Sequence, residues 1–321
     1  MNINMEPLLE IKNLNISFLS DFGETRAVRD VSFHVNPGEI FGIIGESGSG
    51  KSVTAKSILR VNPENCKVTS GSVFFQKQCI SEQPERKLHK IRGKEISMVF
   101  QDSLSALNPV YTTGNKLVET IRLHQPMTKA EARNRALELL KAVGINEPES
   151  CMRCYPHQLS GGMRQRVLIA MAVSSNPKLL IADEPTTALD VTIQIQILRL
   201  LRDIQARTGM SIIFITHDLG VVAQICSRIA VMCGGHIVEE GTAEEIFYHP
   251  FHPYTKALID SIPKKDADFT PYLERSSGEK EEDGLCPFLE RCGCCTESCK
   301  STLPDCYRMS DTHSALCWKR G

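Results

Sequence analysis

A glycine-rich segment at residues 45–52 (GESGSGKS) matches the phosphate-binding pattern GxxxxGK[ST]. Glycines allow backbone N–H groups to curl round phosphate oxygens, and the N-terminus of a following helix adds partial positive charge. Lys51 is expected to reach the β- and γ-phosphates of a nucleotide, and Ser52 to coordinate Mg²⁺. The backbone contacts to the phosphates are expected from Gly45, Ser47, Gly48 and Gly50.

Two adjacent acidic residues end the apolar segment 179–184 (LLIADE). Asp183 is placed to hold Mg²⁺ through its water shell, and Glu184 to orient or deprotonate an attacking water. Phosphoryl transfer needs mainly positioning and charge neutralisation, so one metal, one lysine and one carboxylate form a sufficient core. A phosphate-binding loop by itself does not distinguish kinases, GTPases and many motors. The acidic pair narrows this choice of protein class.

The elements that must position these residues are predicted from hydrophobic periodicity. Segment 40–44 (IFGII) lies just before the glycine loop and predicts a strand buried on both faces. Segments 179–182, 212–215 and 229–232 predict short strands that alternate with helices, as in a parallel sheet. Alternating apolar residues near the start predict antiparallel strands with one buried face; these are Leu9, Ile11, Leu14, Ile16, Phe18, Val28, Val31, Phe33 and Val35.

The segment from about residue 102 to 160 is predicted to be mostly helical. Thr128 and Glu131 have the spacing of a capping box, and Gly144 lies where that helix should end. Residues 263–284 are polar and charged and predict a linker. The predicted organisation is therefore a main domain at residues 1–262, followed by a linker and a cysteine-rich extension at residues 263–321.

The segment LSGGM at residues 159–163 resembles the LSGGQ signature of ABC ATPases, with Met163 in place of glutamine. In that family the signature of one subunit closes over the ATP bound to the other. Ser160, Gly161 and Gly162 at a helix N-terminus suit this role, because backbone N–H groups must approach the γ-phosphate. The resemblance covers about residues 8–260.

Four more residues occur in the order that this resemblance implies. Phe22 resembles the aromatic residue that stacks on adenine, and Gln101 resembles the Q-loop glutamine that links Mg²⁺ and water to the membrane partner. Asp190, in the segment Ala188-Leu189-Asp190, resembles the D-loop aspartate. His217, after a predicted strand, resembles the switch histidine that senses the γ-phosphate.

Three segments resemble the peptide and nickel importer branch of this family. Residues 97–109 (SMVFQDSLSALNP) resemble its Q-loop sequence, with Ser103 and Ala106 as departures. Residues 155–158 (YPHQ) before the signature resemble the D-type subunit, and residues 252–255 (HPYT) resemble the start of the C-terminal extension. The resemblance implies an α/β fold with a P-loop NTPase core of the ABC ATPase type, an antiparallel β subdomain, an inserted helical subdomain and a small Cys-rich C-terminal extension.

The chain has 13 cysteines, and seven of them lie between residues 286 and 317. In related subunits the spacing of Cys286, Cys292, Cys299 and Cys317 belongs to a known or suspected [4Fe–4S] cluster. Four thiolates suit such a cluster or zinc, and the spacing of these four, which has no paired CxxC knuckles of the usual zinc kind, favours the cluster. Reduced thiols without a metal remain an alternative, and Cys294, Cys295 and Cys306 leave the choice of ligands open.

Composition limits the possible functions further. The 321 residues have a formal net charge of -1 and are 41% hydrophobic and 23% charged, which is typical of a globular protein and not of a polyanion-binding surface. No apolar run approaches the roughly 20 residues needed to cross a bilayer. The first residues show no signal-peptide pattern. We therefore expect a peripheral protein at the cytoplasmic face of the cell (inner) membrane, held there by a partner.

The resemblance implies an ATPase, with ATP and Mg²⁺, that powers uptake of dipeptides or oligopeptides. The implied partners are a second ATPase subunit in a heterodimer, two permease subunits and, through them, an extracytoplasmic solute-binding protein; no nucleic acid is implied. The alternatives are an importer of nickel or another solute, a soluble ABC ATPase in translation or repair, and an iron–sulfur redox protein regulated by ATP. A single set of motifs without coiled coils favours the importer.

Overall fold

The computed structural model describes residues 6–21, 23–101, 106–187, 189–262 and 284–319. The chain divides into two compact units. Unit 1 comprises Met1–Glu82 and Phe214–Gly321, and unit 2 comprises Gln83–Ile213. The predicted linker, residues 263–284, lies outside the described residues except for Gly284.

The N-terminal part of unit 1 contains a four-stranded antiparallel sheet with the order β2-β1-β4-β5. Leu9 pairs with Val35, Ile11 with Phe33 and Ile16 with Val28. The predicted alternation is confirmed, because these side chains are at most 4% exposed; Phe18 alone of the predicted set is half-buried. The elements of this part are β1 (Leu9–Ser20), β2 (Gly23–Val35), β3 (Ile40–Ile44), α1 (Lys51–Ile58), β4 (Cys66–Phe75) and β5 (Gln78–Cys79).

Unit 2 contains the predicted helices and a parallel strand pair, β6 and β7, in which Ile96 pairs with Leu179. The capping box is present, since Thr128 and Glu131 each accept the hydrogen bond of the other's backbone N–H. The elements are α2 (Glu85–Ile91), β6 (Ile96–Val99), α3 (Thr113–His124), α4 (Lys129–Ala142), α5 (Pro148–Cys151), α6 (Gly161–Val173), β7 (Leu179–Asp183) and α7 (Val191–Thr208).

Strand β8 (Ser211–Thr216) carries the chain from unit 2 back into unit 1. In unit 1, β9 pairs in parallel with β3 and antiparallel with β10, and two short strands of the cysteine-rich tail continue that sheet beyond β10. The elements are α8 (Leu219–Ile225), β9 (Arg228–Cys233), β10 (His236–Thr242), α9 (Ala243–Tyr248), α10 (Pro253–Asp260), β11 (Tyr307–Arg308) and β12 (Ser314–Ala315).

The core strands β3, β7, β8 and β9 are buried along their whole length. This matches their apolar central sequences, in which polar residues occur only at strand ends, since a strand covered on both faces has no solvent-facing position for a polar residue. Among the described residues, no helix has both the length and the apolar character that spanning a membrane requires.

Candidate nucleotide-binding and hydrolysis site

The glycine loop connects β3 to α1 in unit 1, as predicted. Gly45 has a φ of 151°, and a Cβ atom built there would lie 2.1 Å from the Met232 carbonyl oxygen. Gly50 has a φ of 98°, and its Cβ would lie 2.5 Å from the Ala27 carbonyl oxygen. Only glycine fits both positions, because a side chain would be strained and would clash with backbone. Between them Ser47 and Gly48 are exposed at the tip of the loop.

The Lys51 side chain folds back into this loop and is only 4% exposed. Its Nζ donates to the carbonyl oxygens of Gly45 at 2.8 Å and Glu46 at 2.6 Å, and to Ser49 Oγ at 3.3 Å. A buried ammonium group needs such acceptors. The positive charge is thus held inside the loop, and anionic phosphate oxygens are stronger acceptors than carbonyl groups.

Helix α1 begins at Lys51, with Ser52 as its second residue and no acidic residue in its first turn. The partial positive charge of the helix N-terminus is therefore not offset by a carboxylate of that turn. Together, the glycine loop, the Lys51 ammonium group and the N-terminus of α1 form an arrangement that suits anion binding.

In unit 2, Asp183 is the last residue of β7 and is fully buried. Glu184 follows it and has a φ of 46°, a left-handed conformation that costs a non-glycine residue about 1–3 kcal/mol. Its Oε2 accepts hydrogen bonds from Gln101 Nε2 at 2.9 Å and from Thr187 Oγ1 at 2.8 Å. The carboxylate is therefore fixed in direction at the end of a buried strand.

Gln101 and Glu184 were both predicted site residues, and the structure brings them together across 83 residues of sequence. Sequence analysis did not identify Thr187. The available signal was its position three residues after Glu184, since Thr hydroxyls often bond to groups a few residues away. Unit 2 thus contains side chains that suit metal and water binding, namely Asp183, Glu184, Gln101 and Thr187.

The LSGGM segment also lies in unit 2 and starts helix α6. Ser160 is the N-cap of this helix, and its Oγ accepts the Met163 backbone N–H at 3.3 Å. Any residue except proline supplies that N–H at position 163, so the departure from glutamine leaves the cap intact. A Cβ at Gly162 would lie 2.7 Å from Ile193 Cγ2, and one at Gly161 would lie 3.3 Å from Leu189 Cδ2. The two glycines therefore allow α6 to approach the segment that begins α7.

Asp190 caps α7 by accepting the Ile193 N–H at 3.0 Å. His217 directly follows β8 in unit 1 and is exposed, and the next residue, Asp218, caps α8. Phe22, the predicted adenine contact, lies outside the described residues, as does Ala188.

The HPYT segment begins α10. His252 is the N-cap, and its Nδ1 accepts the Tyr254 N–H at 3.0 Å. Burial lowers the pKa of His252 to about 4. Tyr254 and Thr255 are fully buried. His252 N–H donates to Glu239 Oε2 at 2.8 Å, and His313 of the tail bonds to Glu239 Oε1 at 2.7 Å, so one buried carboxylate joins the tail to α10.

The four predicted ligand cysteines interact with one another in the tail. Burial is the main cause that raises the pKa of Cys286 to about 11, and the Cys292, Cys299 and Cys317 thiols raise it as well. Burial is also the main cause that raises the pKa of Cys292 and of Cys317. Neighbouring thiols, Cys299 among them, raise the pKa of both groups further. These shifts favour the protonated thiols, whereas metal ligation requires thiolates.

In the part of the chain that the structure describes, no three His, Cys, Asp or Glu side chains are grouped as a metal ion requires. The predicted metal centre is therefore not supported here.

Comparisons with known proteins match two regions of the chain. Residues 28–187 match the ABC transporter family, and residues 238–299 match the family described as oligopeptide/dipeptide transporter, C-terminal region.

Curated relatives match over almost the whole chain. The dipeptide transport ATP-binding protein DppD of Bacillus subtilis is 47% identical over 318 residues, covering 98% of this chain and 95% of the relative. The oligopeptide transport ATP-binding protein OppD of the same organism is 46% identical over 321 residues, covering 98% and 90%. Among solved structures, the ATP-binding cassette MJ0796, a dimer bound to ADP and phosphate, has a TM-score of 0.66 and 31% identity, covering 73% of this chain and 98% of that one.

The fold, the phosphate-binding loop and the LSGGM signature define an ATP-hydrolysing subunit of the ABC type. More narrowly, the chain belongs to the family of ATP-binding subunits of oligopeptide and dipeptide ABC transporters. The predicted family and fold class are thereby confirmed.

Proposed function

We propose that this chain powers import of dipeptides or oligopeptides through a membrane permease by binding and hydrolysing ATP with Mg²⁺. The observation that carries this proposal is the match of residues 238–299 to the C-terminal region of oligopeptide and dipeptide transporters, alongside relatives named for peptide transport. An ABC ATPase in translation or repair is not favoured, because the match extends beyond the ATPase domain into this transporter-specific region.

The proposed roles follow from the chemistry of the glycine loop in unit 1 and of the Asp183–Glu184 segment in unit 2. Lys51 and the backbone of residues 45–50 bind the phosphates, and Ser52, Asp183 and Gln101 serve the Mg²⁺. Glu184 orients and deprotonates the attacking water, and its fixed carboxylate supports this role. His217 senses the γ-phosphate, and Phe22 stacks on adenine.

The proposed assembly pairs this chain with a second ATPase subunit, in a heterodimer. Ser160, Gly161, Gly162 and Asp190 of one subunit meet the ATP of the other, and closure of the dimer drives two permease subunits. An extracytoplasmic solute-binding protein delivers the peptide to the permease. The ATPase domain spans residues 1–262, with its helical subdomain at about 102–160, and the chain is peripheral at the cytoplasmic face of the (inner) membrane.

The first test replaces the proposed general base. We expect Glu184→Gln to lower ATP turnover by about 10²-fold or more while ATP still binds, because a carboxamide cannot accept the proton of water. Turnover is measured on the full-length chain with its partner subunits, and binding by calorimetry. The matched control is Glu244→Gln, an exposed Glu in α9. Near-normal turnover in Glu184→Gln would remove Glu184 from its proposed role.

The transported solute is tested in cells that carry the complete transporter. Uptake of radiolabelled dipeptides, longer peptides and nickel is compared between the wild-type chain and Lys51→Ala. We expect loss of peptide uptake, because the variant lacks the ammonium group that the loop holds. Loss of nickel uptake alone would replace the peptide assignment with the nickel alternative.

For the tail, we propose a [4Fe–4S] cluster, with zinc as the alternative, on Cys286, Cys292, Cys299 and Cys317. Its support is the resemblance of their spacing in the sequence, C-x5-C-x6-C-x17-C, to that of related subunits. Chain purified without oxygen should contain about four irons and four sulfides. A Cys299→Ser variant should lose them, and Cys306→Ser, at an exposed cysteine, should keep them. Stoichiometric zinc would favour the alternative, and absence of metal would reject both.

A further inference from the structure

Two side chains from the C-terminal part of unit 1 contact Glu46, the second residue of the glycine loop. The Arg291 guanidinium donates to both carboxylate oxygens of Glu46, at 2.8 and 3.3 Å. The Glu46 backbone N–H donates to the Tyr254 hydroxyl at 3.0 Å. These partners lie 245 and 208 residues after Glu46 in the sequence, so local folding of the loop does not create either contact.

The two contacts are shielded from solvent. Tyr254 is fully buried, and the Arg291 and Glu46 side chains are 15% and 18% exposed. Phe288 packs edge-on against the Tyr254 ring, with centroids 5.4 Å apart, and the Arg291 guanidinium lies 5.1 Å from the Phe288 ring centre. A guanidinium that is stacked on a ring and forked onto a carboxylate has little freedom to reorient.

Glu46 also contacts Lys51, the lysine of the glycine loop. Its carbonyl oxygen accepts from Lys51 Nζ at 2.6 Å, while its N–H and carboxylate are held by Tyr254 and Arg291. All three polar groups of this residue therefore have defined partners. Residues of the C-terminal region therefore fix the direction of the Glu46 backbone. They thereby also fix the Glu46 carbonyl oxygen, which accepts the hydrogen bond from Lys51.

Resting on the proposed ATP site, we propose that Arg291 and Tyr254 are positioning residues that hold the phosphate-binding loop in its nucleotide-binding conformation through Glu46. A ligand binds with an apparent affinity that is proportional to the fraction of protein in the competent conformation. Removing a restraint on Glu46 lowers that fraction, so the affinity for ATP falls. The C-terminal region thus contributes to nucleotide affinity through residues that belong to no nucleotide-binding motif.

The test measures the Kd for ATP with Mg²⁺ by calorimetry on the full-length chain. Arg291→Gln removes the charge and the fork, and Tyr254→Phe removes the hydroxyl but keeps the packing against Phe288. We expect each to raise Kd about fivefold to tenfold, the range of one lost hydrogen bond to a charged or buried group. Arg291→Lys, which keeps the charge without the fork, should give a smaller increase.

A double-mutant cycle asks whether Arg291 acts through Glu46. Glu46→Gln should raise Kd as Arg291→Gln does, and combining them should add little, because both remove the same ion pair. Multiplication of the two increases would overturn the inference. The matched control is Lys300→Gln, which breaks an exposed ion pair with Glu297 in the same tail and should leave Kd unchanged.

Thermal unfolding without nucleotide separates positioning from stability. If Arg291→Gln lowers the unfolding temperature but leaves Kd as in the wild type, the pair is only structural and the inference is wrong. Lys51→Ala separates the inference from the proposed ATP site. If the wild type binds ATP and Lys51→Ala does not, the proposed ATP site stands. In that case, unchanged Kd values in Arg291→Gln and Tyr254→Phe reject only the positioning role. Should Lys51→Ala bind like the wild type, the ATP site itself is wrong, and the inference with it.

Discussion

At the scale of single residues, Glu184 combines an unfavourable backbone conformation with a tightly held side chain. Its φ of 46° is uncommon for a residue with a Cβ atom, and Gln101 and Thr187 both donate to the same carboxylate oxygen. Such conformations persist where the surroundings determine them, and they occur at functional sites.

Thr187 is expected to orient Glu184 for its proposed reaction. Thr187→Ala should lower ATP turnover about tenfold while leaving Kd for ATP within about twofold, because a small misplacement of a catalytic group slows the chemical step more than binding. Thr187→Ser keeps the hydroxyl and should restore most of the rate. The control is Thr208→Ala, at the end of α7, whose hydroxyl donates to the Ile204 carbonyl oxygen and accepts the Met210 backbone N–H. A rate in Thr187→Ala equal to the wild type would show that Gln101 suffices.

At the scale of elements, the capping box at the start of α9 also binds the C-terminal tail. Glu245 accepts from the backbone N–H and the hydroxyl of Thr242 at 2.8 and 2.9 Å, and from the hydroxyls of Ser310 and Thr312 at 2.8 and 2.9 Å. Burial raises the pKa of Glu245, but these hydrogen bonds together outweigh burial and lower it to about 2. The carboxylate therefore stabilises the folded chain when it is charged.

Linkage gives the pH range of this stabilisation. Because the folded pKa is lower than the ordinary value of 4.5, the contribution is fully present above pH 4.5 and is lost as the pH falls toward 2. We expect Glu245→Gln to lower the free energy of unfolding by about 1 kcal/mol at pH 7, after allowance for solvent screening. Denaturant unfolding at several pH values should show the variant and the wild type converging in acid. Glu244→Gln, in the same helical turn, should parallel the wild type throughout; a constant difference for Glu245→Gln would contradict the linkage.

At the scale of the whole molecule, the signature helix is expected to act on a second subunit. Ser160→Arg in a Glu184→Gln background should leave ATP binding intact and prevent ATP-dependent association, because the larger charged side chain would occupy the surface that is proposed to close over the partner's nucleotide. Association is measured by size-exclusion chromatography with light scattering, using the co-purified partner subunit.

This substitution also removes the N-cap of α6, which costs about 0.5–2 kcal/mol. Thermal unfolding therefore accompanies the association assay, and Ser150→Arg, at an exposed serine of unit 2, serves as the control for added charge and bulk. ATP-dependent association that persists in Ser160→Arg would reject the proposed head-to-tail arrangement.

Much of the fold was predictable because its signals are local. A buried strand, a glycine loop and a helix start occur within residues 40–52, and every part of that prediction is confirmed. The capping box at Thr128 and the buried strand before Asp183 were predicted from segments of similar length. In each case backbone geometry and hydrophobic periodicity depend on neighbouring residues alone.

Sequence by itself therefore determined the family, the strands and helices around the phosphate-binding loop, and the residues that carry the proposed chemistry. Only the tertiary structure decided which distant side chains fix those residues: Gln101 on Glu184, and Tyr254 and Arg291 on Glu46. It also decided that the cysteine-rich tail extends the sheet at β10 and bonds to the buried Glu239. The reason is physical, since contacts between residues 74 to 245 positions apart arise from the packing of whole elements, which no local pattern encodes.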